Sequence, residues 1–200
     1  MYDQNKYNQG LIITGALVFF IIWLSKGKSI DLSIFPIALT ASGVTLLIDK
    51  ILVKTVLWKY CPNIFCKIGI TKTPYLGGEW TGVLQSDFID PATKSKVPPK
   101  EAKVSIIHKF DCISVQLNTD QVYSSSYVSD IYEDPSERKY LCYIYTGDVD
   151  EDRKNNPKHD GAAKLRINDD THTLEGYYWT VRNTTGTLKL ERTNKENCPT

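Results

Sequence analysis

Two hundred residues suit one soluble domain with an appendage rather than two full domains. Lys and Arg number 24 against 23 Asp and Glu, a formal net charge of +1. That balance gives no bulk electrostatic reason to bind duplex nucleic acid.

The mean hydropathy of −0.28 hides a division along the chain. Leu11–Leu24 and Leu32–Ile48 carry no charged residue, and nothing comparable recurs after Pro62. The two runs predict a transmembrane hairpin. Fourteen helical residues span about 21 Å, short of the roughly 30 Å hydrocarbon core. Tyr7 and Trp23 suit the interfaces, and Lys6, Lys26 and Lys28 can snorkel to make up the difference. Pro36 falls near the first turn of the second helix, where a missing N–H does little harm. Ala38 and Ser42 form a small-x-x-x-small pair that lets another helix approach closely. A cleaved leader is disfavoured, because a second apolar run follows almost at once and Ser25-Lys26-Gly27 is a poor cleavage site. Five lysines follow the second helix (Lys50, Lys54, Lys59, Lys67, Lys72), against Lys26 and Lys28 in the loop. The positive-inside bias then puts both termini and the C-terminal module in the cytoplasm.

Ile48, Ile51, Leu52, Thr55 and Val56 continue a helical stripe past the second run. This amphipathic extension ends near Tyr60-Cys61-Pro62. It either lies among lipid headgroups or meets the same stripe on a neighbouring subunit. The domain reading is therefore 1–60 for the helical region, 61–75 for a linker and 76–200 for a soluble module.

From Leu76 onward short alternating runs are separated by turn-formers such as Asp90-Pro91, Pro98-Pro99, Asp134-Pro135 and Asn183-Thr184-Thr185-Gly186. The strands predicted are Glu79–Phe88, Ala102–Phe110, Ile113–Leu117, Val122–Ile131, Tyr140–Thr146, Ala162–Ile167, Thr173–Arg182 and Thr187–Arg192. Eight consecutive strands with no helix between them favour a mainly β module, an up-and-down antiparallel barrel like that of lipocalins. An open sandwich is the second choice. Ile113, Val115 and Leu117 share one face, as do Leu165 with Ile167 and Leu188 with Leu190. The face of Leu174, Gly176, Tyr178, Thr180 and Arg182 starts apolar and ends aromatic, hydroxylic and cationic. A pure packing face would not end that way.

Catalytic and metal signatures are absent from this reading, and no cofactor is expected. His108, His159 and His172 stand in no nucleophile, zincin or phosphotransfer motif. Five cysteines lack a repeating pattern, and Cys61 with Cys66 has no second pair to complete a zinc site. Reduced thiols are the expectation. The acidic run Asp148–Asp152 fails as a calcium loop, since Arg153 sits where the turn glycine is needed and His159 where a bidentate Glu should be.

A ligand pocket at one mouth of the barrel is the better candidate. Tyr178 can stack on a nucleobase, Arg182 can pair with phosphate oxygens and Thr180 can donate a hydroxyl. Trp80 either plugs the closed end or lines the pocket, and His108 is either an interior hydrogen-bonded residue or part of the site. Tyr127 and Tyr143 are either lumenal or surface tyrosines.

Tyr75-Leu76-Gly77-Gly78-Glu79-Trp80-Thr81-Gly82 enters the first strand, and Leu174–Thr180 is followed by Arg182 and Gly186. With the tandem helices, these segments resemble the two-transmembrane β-barrel effectors of bacterial cyclic-oligonucleotide anti-phage signalling (CBASS). That resemblance implies a non-catalytic receptor whose barrel binds a cyclic dinucleotide. It further implies homo-oligomerisation on binding, with the helices disrupting the lipids of the bacterial inner membrane and killing the infected cell. The rival readings are a membrane-tethered carrier of an apolar ligand and a membrane-anchored adaptor whose tyrosine-rich Val122–Tyr145 stretch recruits a protein. Thr180 and Arg182 facing the lumen would favour the nucleotide.

Overall fold

The computed structural model describes residues 2–26, 34–120, 122–148, 158–168 and 170–193. The acidic run read at 148–152 lies outside them apart from the backbone of Asp148. The chain divides into two units, Tyr2–Lys72 and the part that begins at Thr73.

In the first unit, helix α1 spans Gln4–Ser25 and α2 spans Ile34–Leu47. The Asp3 carboxylate starts α1 by accepting the Asn5 and Lys6 N–H groups at 3.0 and 3.2 Å. From Ile48 the second helix widens into a π-helical stretch to Leu57 and continues helically to Tyr60. Gln4–Ser25 and Ile34–Tyr60 are both long and apolar enough to cross a membrane. At 22 residues α1 reaches about 33 Å, so the charge-free run understated it. Ile12, Leu17, Ile21, Phe35 and Leu39 are exposed, apolar surface that hydrocarbon would cover.

The helices approach at Ile37, Ala41 and Thr45, which are buried, with Gly15 against the Thr45 side chain. Ala38 and Ser42 are on an exposed face instead. Near the end of this hairpin the Tyr7 hydroxyl donates to Asp49, whose other oxygen pairs with Lys54 at 3.3 Å. The segment read as a linker contains a short helix, Pro62–Lys67, opened by proline at its first position. Trp58 and Phe65 pack edge to face with ring centroids 5.5 Å apart.

The second unit is a closed barrel of eight antiparallel strands in sequence order. They are β1 Gly78–Ser86, β2 Lys100–His108, β3 Ile113–Asn118, β4 Tyr123–Glu133, β5 Lys139–Asp148, β6 His159–Ile167, β7 Thr173–Thr180 and β8 Thr185–Arg192. Strand β1 pairs with β8 from Trp80↔Arg192 to Ser86↔Gly186, which leaves no free sheet edge. A register shift between Ser126 and Val128 bulges β4. Alternation decides what enters the lumen. On β8, Gly186, Leu188, Leu190 and Arg192 are buried while Thr185, Thr187, Lys189 and Glu191 are exposed. The interior of one end is filled by Leu76, Trp80, Val104, Ile106, Leu141, Leu165, Leu174 and Leu190.

Candidate functional site

The barrel has one packed end and one hollow end. At the packed end, Trp80 is fully buried and its indole N–H donates to the Leu76 carbonyl at 3.0 Å. Its cross-strand partner Arg192 lies over the ring, 5.0 Å from its centroid. Arg192 Nη2 donates to the carbonyls of Tyr75 and Gly77 at 3.0 and 2.9 Å. His108 Nδ1 accepts the Leu76 N–H at 3.1 Å, and its ring stacks on Tyr75 at 5.4 Å. Burial, and then the nearby Arg192 cation, push His108 down to about 4, so the imidazole is neutral. Trp80 and His108 are therefore parts of a plug formed with the strap Tyr75–Gly78.

The hollow end holds a cavity of ≈1180 Å³. Tyr143, Tyr178, Thr180 and Arg182 line it, which places Tyr143, left open between lumen and surface by the sequence, on the lumenal side. Trp80, His108 and Tyr127 do not. The first two are claimed by the plug. Tyr127 sits at the β4 bulge, which turns its side chain outward to 61% exposure. Arg182 also differs in setting. Strand β7 stops at Thr180, so Arg182 is carried on the turn to β8 rather than on the strand. That turn is closed by Asn183 N–H to Thr180 O at 3.1 Å and Thr180 N–H to Thr184 O at 3.0 Å. Asn183 takes a left-handed φ of 58°, a conformation asparagine tolerates. The Thr180 and Thr184 hydroxyls share a hydrogen bond of 2.5 Å, and the Arg182 N–H donates to Thr180 Oγ1 at 3.3 Å. The Thr180 hydroxyl thus holds the turn that presents the guanidinium.

Three further lining residues were not singled out from the sequence: Lys100, Tyr145 and His159. Each lies on an inward face that alternation defines, but two sit where strands were read too short. Extending β2 to Lys100 puts it in phase with Ala102 and Val104, and extending β6 to His159 puts it in phase with Gly161 and Ala163. Tyr145 follows Leu141 and Tyr143 on one face, and its ring lies 5.9 Å from that of Tyr143.

A repeated device seats the aromatic wall. Tyr178 pairs across strands with Gly186, Tyr145 with Gly161 and His159 with Gly147. A Cβ on each glycine would fall 2.5 Å from the Tyr178 ring, 2.5 Å from the Tyr145 ring and 3.0 Å from the His159 ring. The rings lie over glycine because only hydrogen leaves room. Burial raises all three phenols above their ordinary range: Tyr143, Tyr145 and Tyr178. They remain protonated O–H donors at neutral pH, and Tyr178 bonds with the Ser86 side chain. Lys100 and Arg182 supply cations on opposite sides of the sequence, from β2 and from the β7–β8 turn. Aromatic faces with a guanidinium and an ammonium suit a planar, anionic ligand.

Fold and cavity together define an up-and-down barrel with a hollow mouth, which follows a pair of apolar helices in the sequence. Residues 71–192 match the family model described as Cap15, cyclic dinucleotide receptor domain, and the chain belongs to that family. The resemblance to the CBASS effectors noted in the sequence is upheld at this level. CD-NTase-associated protein 15 of Staphylococcus schleiferi is 33% identical over 94 residues, 46% of this chain and 50% of that protein. The chain thus spans about half the length of the curated relative it matches.

Proposed function

We propose that the cavity at the hollow end binds a cyclic dinucleotide and that binding converts the chain into a membrane-disrupting effector. The carrying observation is the chemistry of one ≈1180 Å³ cavity: tyrosine faces beside Arg182 and Lys100. Tyr178 stacks on one base, Arg182 and Lys100 neutralise phosphate, and the buried phenols of Tyr143 and Tyr145 donate to the ligand. Thr180 contributes by holding the Arg182 turn. That Thr180 and Arg182 line the cavity favours a nucleotide over an apolar cargo.

The helical hairpin lies in the bacterial inner membrane with the barrel in the cytoplasm, following the lysine bias beyond the second helix. Ligand shifts the chain toward a homo-oligomer because it binds that assembly state better than the single chain. The exposed Ala38/Ser42 face and the Ile48–Val56 stripe are the helical contacts of that state, and the assembled helices disrupt the surrounding lipid. The protein acts by binding, without turnover.

Calorimetry on the full chain with purine cyclic dinucleotides tests the pocket. Arg182→Ala removes charge-assisted hydrogen bonds worth about 1.5–3 kcal/mol, so affinity falls roughly 10- to 150-fold while the melting temperature holds. Wild-type affinity in that variant would remove Arg182 from the site.

A further inference from the structure

The helical unit holds a cavity of its own, ≈220 Å³ in volume. Tyr7, Gly10 and Leu11 line it from one face of α1, at the i, i+3, i+4 spacing of a helical stripe. Val53 and Leu57 line it from the π-helical stretch, and Phe65 from the short helix after Pro62. Asp49 is the charged group among its lining residues, and both of its oxygens are engaged. One accepts the Tyr7 hydroxyl, and the other stands 3.3 Å from Lys54 Nζ. Asp49 and Lys54 are five residues apart, the i, i+5 spacing that a π-helical turn brings together. The Lys54 ammonium thereby comes to lie 5.2 Å from the Tyr7 ring centroid. A second ammonium arrives from α1. Lys6 Nζ stands 2.8 Å from where a Cβ on Gly69 would be, and Gly69 lies between the lining residues Ile68 and Ile70.

We propose that this end of the hairpin binds one anionic phospholipid, with an acyl tail in the cavity and the phosphate on Lys54 and Lys6. The proposal rests on the reading of the two helices as membrane spans, and it requires no nucleotide in the barrel. Charge argues for the headgroup. Lys6, Lys50, Lys54, Lys59, Lys67 and Lys72 gather at this end of the unit, where the acidic residues are Asp3 and Asp49. All but Lys54 are exposed, and among the described residues of this unit only Lys54 pairs with a carboxylate. A cluster of this size directly beyond a membrane helix attracts anionic lipid, and basic pockets between such helices take its headgroup. Lys54 is suited to the contact, because an ammonium has three donors and Asp49 occupies one. The walls argue for the tail. Apolar side chains give water too few hydrogen-bond partners to hold it, whereas methylene groups need none. A zwitterionic lipid would bring a cation of its own toward the lysines, so net headgroup charge should decide occupancy.

The test uses the full chain in detergent with equimolar dioleoyl phosphatidylglycerol and dioleoyl phosphatidylcholine, followed by native mass spectrometry. The wild type should retain one phosphatidylglycerol per chain, in several-fold excess over phosphatidylcholine. Lys54→Gln takes away the partner of Asp49 and so strains the hairpin as well as the site. Lys6→Gln, at an exposed position, reads the charge alone and should lower retention roughly five-fold. The tail is tested at Gly10, where a Cβ would meet nothing within 4 Å. Gly10→Leu therefore fills part of the cavity without crowding the helices, and phosphatidylglycerol retention should fall several-fold. Equal retention of the two lipids would overturn the proposal, as would undiminished retention by Gly10→Leu. A paired chain free of lipid would give the cavity to a second copy and overturn it equally. Flotation with vesicles of each lipid separates this outcome from failure of the membrane reading. A chain that floats with both and prefers neither loses only the lipid site, whereas one that floats with neither loses the membrane spans as well.

Discussion

Two arginines ten residues apart summarise the difference between the barrel's ends. Arg192 is buried, stacked on Trp80 and bonded to two backbone carbonyls of the strap. Arg182 rides on a turn at the cavity, exposed to solvent. One closes the fold from the end of β8, and the other stands on the β7–β8 turn at the cavity wall. What separates them is depth: Arg192 is buried at the packed end and Arg182 is exposed at the mouth. Where Leu, Trp and carbonyls converge, the lumen is consumed by its own chain. Toward the mouth glycines stand on the inward face at 147, 161 and 186, and the rings of His159, Tyr145 and Tyr178 lie over them along the cavity wall.

If that division is right, the largest single loss of stability belongs to the plug. Trp80→Ala removes the largest fully buried side chain and should destabilise the barrel by about 3–5 kcal/mol. Thermal melting reads it directly. Among molecules that remain folded, ligand affinity should match the wild type, since Trp80 does not line the cavity. A small change in melting temperature with a large drop in affinity would reverse the assignment of ends.

Protonation offers a second way to strain the plug. The His108 pKa is about 4 in the fold against 6.5 for the free side chain, lowered first by burial and then by Arg192. The unfolded chain therefore binds the proton more readily between these values, so stability rises with pH across that window. The contribution is fully present above pH 6.5 and is lost as pH falls toward 4, amounting to about 3 kcal/mol at most. His108→Asn, which retains an acceptor for the Leu76 N–H, should flatten that part of the stability–pH curve. An unchanged slope would mean that other groups titrate there.

The architecture was legible because alternation and turn chemistry agree along the whole module. Leu188–Arg192, Ile113–Leu117 and Leu165–Ile167 place their apolar side chains inward in the phase their spacing dictates. The site was legible only in part. Lys100 and His159 lie at strand ends, where propensity stops constraining the boundary and turn formers blur it. Tyr127 defied its pattern because a bulge flips the phase of β4, and no residue type announces a bulge. Trp80 could not be allotted to an end from β1 alone. Its position depends on the strap and on Arg192, which is 112 residues distant in sequence. The pairing of pocket rings with glycines was likewise hidden, being a property of register between strands.

At the mouth, the expected losses fall on binding rather than folding. Tyr178→Ala forfeits a stacking surface worth about 1–3 kcal/mol per base, so calorimetry should show cyclic dinucleotide affinity lower by roughly 5- to 150-fold. Tyr178→Phe keeps the face and loses the phenol O–H, and its affinity should fall less. If Phe proves as poor as Ala, the hydroxyl rather than the ring carries the contact.

The smallest effect sharpens the comparison most, because it alters the site without replacing any side chain already there. A Cβ at Gly147 would lie 3.0 Å from His159 Cε1 and 3.4 Å from both ring nitrogens, with no backbone atom among its nearest neighbours. At Gly82 or Gly176 the same Cβ would meet a carbonyl oxygen at 1.9 or 2.1 Å. Gly147→Ala therefore asks only the His159 ring to move by a few tenths of an ångström. The entropy saved by replacing glycine offsets this crowding, leaving stability within about 1 kcal/mol of the wild type. Because His159 is part of the cavity wall, affinity should drop by a few-fold while the melting curve barely shifts. Gly176→Ala should do the opposite, lowering the melting temperature by forcing β6 and β7 apart. Were both variants to lose stability alike, the mouth would be as tightly packed as the plug, and the barrel would have no end reserved for a ligand.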